Sequence, residues 1–126
     1  MNTTISTLMQ RRVWSVDMDD TVAQVDALLT EHGLSWAPVV DAGRAVIGVI
    51  SATDLLQFHA QKRDPATVRA WQLCTYKPIS VDQATPLGEV ARVMVERRIH
   101  HVVVTGEAGL VGVVSSLDFV RTCIAG

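Results

Sequence analysis

The chain lacks most of what marks a membrane, secreted or nucleic-acid-binding protein. Its longest strongly apolar stretches, such as Val46 to Ile50, fall far short of the roughly 20 residues that span a bilayer. At the N-terminus, Met1-Asn2-Thr3-Thr4 leads to Gln10-Arg11-Arg12 without the apolar core of a signal peptide, so the cytoplasm is the expected location. Eleven Lys and Arg against thirteen Asp and Glu give a net charge of −2. That leaves no basic field for nucleic acid and no polybasic segment for a membrane surface. Cysteine is scarce: Cys74 and Cys123 have no metal-ligand spacing with each other or with the four histidines. Both read as reduced, mostly buried thiols rather than a disulfide. No Ser or Cys has a sequence-visible base and orienting acid, so no catalysis is expected and no cofactor is required.

What the chain does contain, it contains twice. Leu8, Ser15, Val16, Asp17, Val25, Glu31 and Val39 recur as Leu73, Ser80, Val81, Asp82, Val90, Glu96 and Val104, each 65 positions on (73 − 8 = 65). Gly48-Val49-Ile50-Ser51-Ala52-Thr53-Asp54 returns as Gly112-Val113-Val114-Ser115-Ser116-Leu117-Asp118, now 64 positions on (112 − 48 = 64). A repeat that fills the chain predicts two similar units, a pseudo-two-fold relation and two related sites. The boundaries fall at 1–63, which carries the N-terminal strand, and 64–126. A unit of about 60 residues is marginal for a core of its own, so the halves are expected to share one core in one compact module. Apolar residues make up 48% of the chain, which points to further burial between subunits.

Each repeat reads as strand, helix, strand, strand, helix, an α+β pattern. In the first, Val13 to Val16 is extended, and Thr21 to His32 carries Val22, Val25, Leu28 and Leu29 on one helical face. Asp20 is the expected cap, with Gly33 at the left-handed end. Ala37 to Val40 and Val46 to Ile50 form a hairpin around Asp41-Ala42-Gly43-Arg44, and a helix follows from about Ser51. In the second, Pro78 to Val81 is extended, and Thr85 caps a helix that Pro86 opens. Val102 to Val104 and Leu110 to Val114 form the hairpin, and a helix runs from about Ser116 to Ile124. Residues 60–65 are a polar, Pro-broken linker.

The chemistry concentrates in Gly-x-x-Ser-x-x-Asp, where the last strand becomes the last helix. Ser51 with Asp54, and Ser115 with Asp118, have the spacing of a helix capping box. The motif occurs twice, however, with a Gly three residues ahead both times, and Thr53 adds a hydroxyl in the first copy. A helix N-terminus offers N–H groups and a positive dipole end to phosphate, and a carboxylate can accept from a ribose diol.

With these residues in view, the chain resembles a pair of cystathionine-β-synthase (CBS) domains, a Bateman module, from about Leu8 to Val120. The matching features are Gly48 to Asp54, Leu34-Ser35-Trp36-Ala37-Pro38-Val39-Val40-Asp41 and their second copies. The resemblance implies an adenosine-containing ligand (AMP, ADP, ATP, NAD or S-adenosylmethionine), with or without Mg²⁺, in clefts between the repeats. One cleft would combine Ser51, Thr53 and Asp54 with Thr85, His100, His101 and Val102. The other would combine Ser115 and Asp118 with Asp20, Ser35, Trp36 and Ala37. Leu117 stands where the first copy has Thr53, so the first cleft is the better one. His101 stands where related kinase subunits carry Arg, which implies few phosphates or a pH-dependent affinity. The resemblance further implies a homodimer, through helical faces near Leu28, Leu29, Val93 and Met94, and a regulatory output in trans on a partner protein.

Two other readings compete. Asp17-Met18-Asp19-Asp20-Thr21 is similar to the nucleophile loop of haloacid-dehalogenase-type phosphatases, yet its second copy, Asp82-Gln83-Ala84-Thr85-Pro86, loses the later carboxylates. A ligand-free interaction module would use the Ser/Asp pairs as caps alone.

Overall fold

The computed structural model describes residues 3–76 and 79–125, with side chains through residue 123. Contacts group the chain into two units, one of Trp14–Pro78 and one of Met1–Val13 with Ile79–Gly126.

The first-repeat unit runs β1 (Val16–Asp17), α1 (Val22–His32), β2 (Trp36–Val40), β3 (Val46–Ser51), α2 (Ala52–Ala60), α3 (Ala70–Leu73) and β4 (Thr75–Tyr76). Its sheet has the order β1-β2-β3-β4, with β1 parallel to β2 and the other pairs antiparallel. Helix α1 starts in a capping box: the Thr21 hydroxyl accepts from the Gln24 amide, and the Gln24 side chain accepts from the Thr21 amide. It stops at Gly33, φ 63°, a conformation glycine adopts without a Cβ clash. The β2–β3 turn is held by Asp41, whose Oδ1 accepts from the Gly43 and Ala45 amides, both at 2.9 Å. Val22, Val25 and Leu29 of α1 recur at helical spacing and close against Val39, Ile50, Leu55 and Phe58. Phe58, 1% exposed, is among the largest side chains buried there.

The second-repeat unit runs from a 3₁₀ turn at Ile5–Thr7 to β5 (Ser80–Asp82), α4 (Leu87–Arg97), β6 (His101–Gly106), β7 (Gly109–Ser115) and α5 (Ser116–Ala125). The sheet is β5-β6-β7, β5 parallel to β6 and β6 antiparallel to β7. Val90 and Met94 of α4 pack with Ile5, Met9, Val102, Val104 and Val114. The strand-helix-strand-strand-helix order is present in both repeats. Each unit contains a cluster of buried apolar side chains.

The segment that leads each repeat packs on the other repeat. Gln10 pairs with Val113 of β7: its N–H donates to the Val113 carbonyl at 2.8 Å and its carbonyl accepts the return bond at 3.1 Å. Thr75 of β4 pairs with Val49 of β3, the equivalent place. The approach is close enough to require glycine. A Cβ on Gly48 would lie 2.5 Å from the Thr75 carbonyl oxygen, and one on Gly112 would lie 2.7 Å from Met9 Sδ. The glycine preceding each Ser-x-x-Asp therefore serves backbone packing.

Several local expectations change. Asp20 does not cap α1; Thr21 does, and the Asp20 carboxylate accepts from the Asp17 amide at 3.0 Å. Helix α4 is preceded by Pro86 and has no side-chain cap, so Thr85 is not its cap. Ala60 ends α2, and residues 61–67 form turns and irregular backbone, but α3 and β4 follow them, formed by residues without apolar periodicity. Cys74 is buried and free, whereas Cys123 is free and exposed. Leu29 and Met94 belong to the cores and Leu28 and Val93 are half-buried, whereas Leu56 (70% exposed) and Val95 (78%) are among the outward apolar side chains. Pro78 lies outside the described residues.

Candidate functional site

The two Ser-x-x-Asp motifs make the same pair of capping hydrogen bonds in different surroundings. Ser51 ends β3 with extended φ and ψ and caps α2: its Oγ accepts from the Asp54 amide at 3.2 Å, and Asp54 Oδ2 accepts from the Ser51 amide at 2.9 Å. The capping reading of the pair is thus correct. It leaves Asp54 Oδ1 without a hydrogen bond among the described residues, on a half-buried side chain beside exposed Thr53. In the hairpin register Trp36 faces Ser51 and Ala37 faces Ile50, and the Ala52 amide donates to the Ser35 carbonyl at 2.8 Å. The first unit thus gathers Ser35, Trp36 and Ala37 with Ser51, Thr53 and Asp54 at one end of its sheet. Ala37 is buried there, Trp36 half-buried and Ser35 exposed.

The second unit places His101 opposite Ser115 and Val102 opposite Val114, and the Ser116 amide donates to the His100 carbonyl at 3.0 Å. Asp118 is only 5% exposed. Its Oδ2 accepts from the Ser115 amide at 2.8 Å and the Ser115 hydroxyl at 3.2 Å. Its Oδ1 accepts from Gln10 Nε2 at 3.0 Å and lies 3.9 Å from Arg121. Leu117, 53% exposed, stands where Thr53 does in the other copy. Val102 is fully buried, Thr85 half-buried and His100 exposed. Burial pushes the half-buried His101 imidazole below its ordinary range, His100 adds to the effect and Asp118 opposes it. His101 is therefore mainly neutral near pH 7 and contributes a hydrogen-bonding edge rather than a charge.

Gln10 was not legible as a site residue. Its repeat partner is Thr75, so the position is not among the identical residues of the repeat.

Two of the three carboxylates in the phosphatase-like loop bond within its own turn. Asp17 Oδ1 accepts from the Asp19 amide at 3.2 Å and Asp20 Oδ2 from the Asp17 amide. Among the described residues no group of three or more His, Cys, Asp or Glu could hold a metal ion. Nor is any helix there long and apolar enough to cross a membrane.

Known proteins share this arrangement. The CBS-domain family model matches residues 5–60 and 68–124. The CBS domain-containing protein CBSX3, mitochondrial, of Arabidopsis thaliana is 30% identical over 98% of this chain and 66% of its own length. Inosine-5'-monophosphate dehydrogenase of Mycobacterium tuberculosis is 33% identical over 82% of this chain but only 19% of its own. The chain thus spans just under two thirds of one of these relatives and about a fifth of the other. Among solved structures, an acetoin utilization protein (AcuB) from Vibrio cholerae superposes with a TM-score of 0.88 at 22% identity, covering 99% of this chain and 93% of its own. CBSX2 in complex with AMP superposes with a TM-score of 0.82 at 25% identity, covering 97% and 96%. Two matched repeats, each with its strand-to-helix Ser-x-x-Asp, make this chain a member of the CBS-domain family, a CBS pair of the Bateman-module kind.

Proposed function

We propose that the protein is a regulatory module that binds an adenosine-containing nucleotide through the Ser51, Thr53 and Asp54 motif and signals to a partner protein in trans. The observation that carries this reading is the half-buried Asp54, whose Oδ1 is left over after capping among the described residues, at the start of a helix beside an exposed Thr53. That oxygen can accept from a ribose diol, while the Thr53 hydroxyl and the helix dipole suit phosphate. The AMP complex of CBSX2 makes AMP the first ligand to try. Thr85, His100, His101 and Val102 complete the proposed ligand set on the family pattern. Asp20, Ser35, Trp36, Ala37, Ser115 and Asp118 form the second set. Neutral His101 favours a ligand with few phosphates. Mg²⁺ would enter with the nucleotide's phosphates.

The output would be a population shift, limited by the ligand's differential affinity for two conformations. A homodimer is part of the proposal. A groove of about 410 Å³ lined by Leu29, Leu34, Leu55 and Leu56 lies on α1 and α2, with Leu56 70% exposed beside it. The competing reading, a ligand-free interaction module, draws on the capping bonds of both motifs and the closed state of Asp118.

A thermal melt with AMP, ADP, ATP, NAD and S-adenosylmethionine, each with and without Mg²⁺, separates the two. A ligand at about a hundred times its Kd adds about 2.7 kcal/mol, or about 10 °C for a domain of this size. No shift from any of them favours the interaction module.

A further inference from the structure

Resting on the nucleotide reading above, we propose that Gln10 is a latch that closes the Asp118 motif to ligand, so that the chain binds one nucleotide, at the Asp54 motif, although it carries the motif twice.

Gln10 and Thr75 occupy the same place in the repeat (75 − 10 = 65) and pair with equivalent strand residues, Val113 and Val49. Both backbones are therefore delivered alongside the strand that ends in the Ser-x-x-Asp motif. The Gln10 backbone is fixed by its two hydrogen bonds to Val113, and Gly112 allows that close approach. From there the long Gln10 side chain reaches Asp118 Oδ1 at 3.0 Å. Thr75 carries its hydroxyl on Cβ and forms no hydrogen bond with Asp54 among the described residues.

Occupancy of the two carboxylates follows. Asp118 is 5% exposed, and both of its oxygens already accept hydrogen bonds, from Ser115 and Gln10. A ribose diol would have to displace the Gln10 amide and reopen a buried carboxylate. Removing one partner from a buried polar group costs about 1–3 kcal/mol. That is a loss of roughly five- to 150-fold in affinity, before the missing Thr53 hydroxyl is counted. Asp54 needs no such displacement. Its Oδ1 accepts no hydrogen bond among the described residues, and Ala52 and Thr53 beside it are exposed. The repeat thus keeps two motifs for folding, as capping boxes, and one for ligand.

The test is calorimetric titration of the full chain with AMP, in wild type, Gln10→Thr and Thr75→Gln. These substitutions exchange the residues of the two repeats. Wild type is expected to bind one AMP per chain, lost in Asp54→Asn. Gln10→Thr is expected to gain a second, weaker site that survives Asp54→Asn. Thr75→Gln is expected to weaken the first site about fivefold or more. Two sites in wild type, or one site in Gln10→Thr, overturns the latch and leaves the nucleotide reading intact. If neither protein binds AMP, the AMP reading fails and the latch is decided by nuclear magnetic resonance of the Gln10 side-chain amide. A shifted, slowly exchanging NH₂ pair that disappears in Gln10→Thr supports the latch. A pair with the shifts and exchange rate of a free surface glutamine overturns it.

Discussion

Replacing Gly48 by alanine tests the exchange of leading segments that organises both units. The new Cβ would lie 2.5 Å from the Thr75 carbonyl oxygen and 2.9 Å from Cys74 Sγ. The first obstacle is backbone and the second is the side chain of a buried core residue, so neither can swing aside. Either β4 withdraws from β3, losing the Thr75–Val49 and Tyr76–Gly48 pairs, or the strand shifts and loosens the packing of Cys74. Overpacking alone costs about 1–3 kcal/mol. The immobility of the obstacle places Gly48→Ala at the upper end, about 3 kcal/mol, or a Tm lower by about 10 °C. The internal control is Gly112→Ala. Its nearest obstacle, Met9 Sδ at 2.7 Å, belongs to a flexible side chain, and the backbone oxygen of Gln10 is at 3.0 Å. That variant is expected to lose less, about 1–2 kcal/mol. Urea unfolding followed by circular dichroism measures both, with an unchanged slope showing that only stability moved. A Gly48→Ala protein within about 0.5 kcal/mol of wild type would refute the close approach and, with it, the packing account of both glycines.

Other consequences can be checked alongside it. Arg98 ends α4 at φ 54°, the position Gly33 fills in the first repeat, and a left-handed non-glycine residue is strained by about 1–2 kcal/mol. Arg98→Gly is therefore expected to raise Tm by about 4 °C. Burial pushes the Cys74 thiol up from its ordinary value, whereas Cys123 is exposed. A thiol reagent at pH 8 should modify one cysteine per native chain and two in denaturant, and Cys123→Ser should leave none reactive in the native state. The folded pKa of His101 is lowered, so the unfolded chain binds more protons as pH falls. Stability should therefore fall as pH drops below about 6.5 toward the lowered folded value. His101→Gln should flatten the Tm profile between pH 7.5 and 5.5.

The hairpins, helices and doubled order were legible because they rest on short-range signals. Val22, Val25 and Leu29 mark a helical face, Asp41-Ala42-Gly43-Arg44 marks a turn, and Gly33 marks a helix end. The capping boxes at Ser51 and Ser115 were legible for the same reason. What the sequence hid depends on residues far apart in the chain. Gln10 meets Asp118 across 108 positions, and Gly48 is explained only by Thr75 arriving beside it. The glycine ahead of each motif counted toward a ligand-binding motif because nothing local reveals a strand crossing there. Cap positions slipped by one residue at Asp20 and Thr85 because Asp and Thr are both good caps and periodicity fixes a helix start only to within a residue or two. Helix α3 is four residues long and follows polar turns, so it left no apolar pattern to read.

The most direct test of the central claim is an ¹H–¹⁵N titration of the protein with AMP. The account predicts saturable shifts centred on the amides of Ser51, Ala52, Thr53 and Asp54, abolished by Asp54→Asn in a protein that remains folded. Unchanged spectra at millimolar AMP, or shifts that survive Asp54→Asn undiminished, would contradict it.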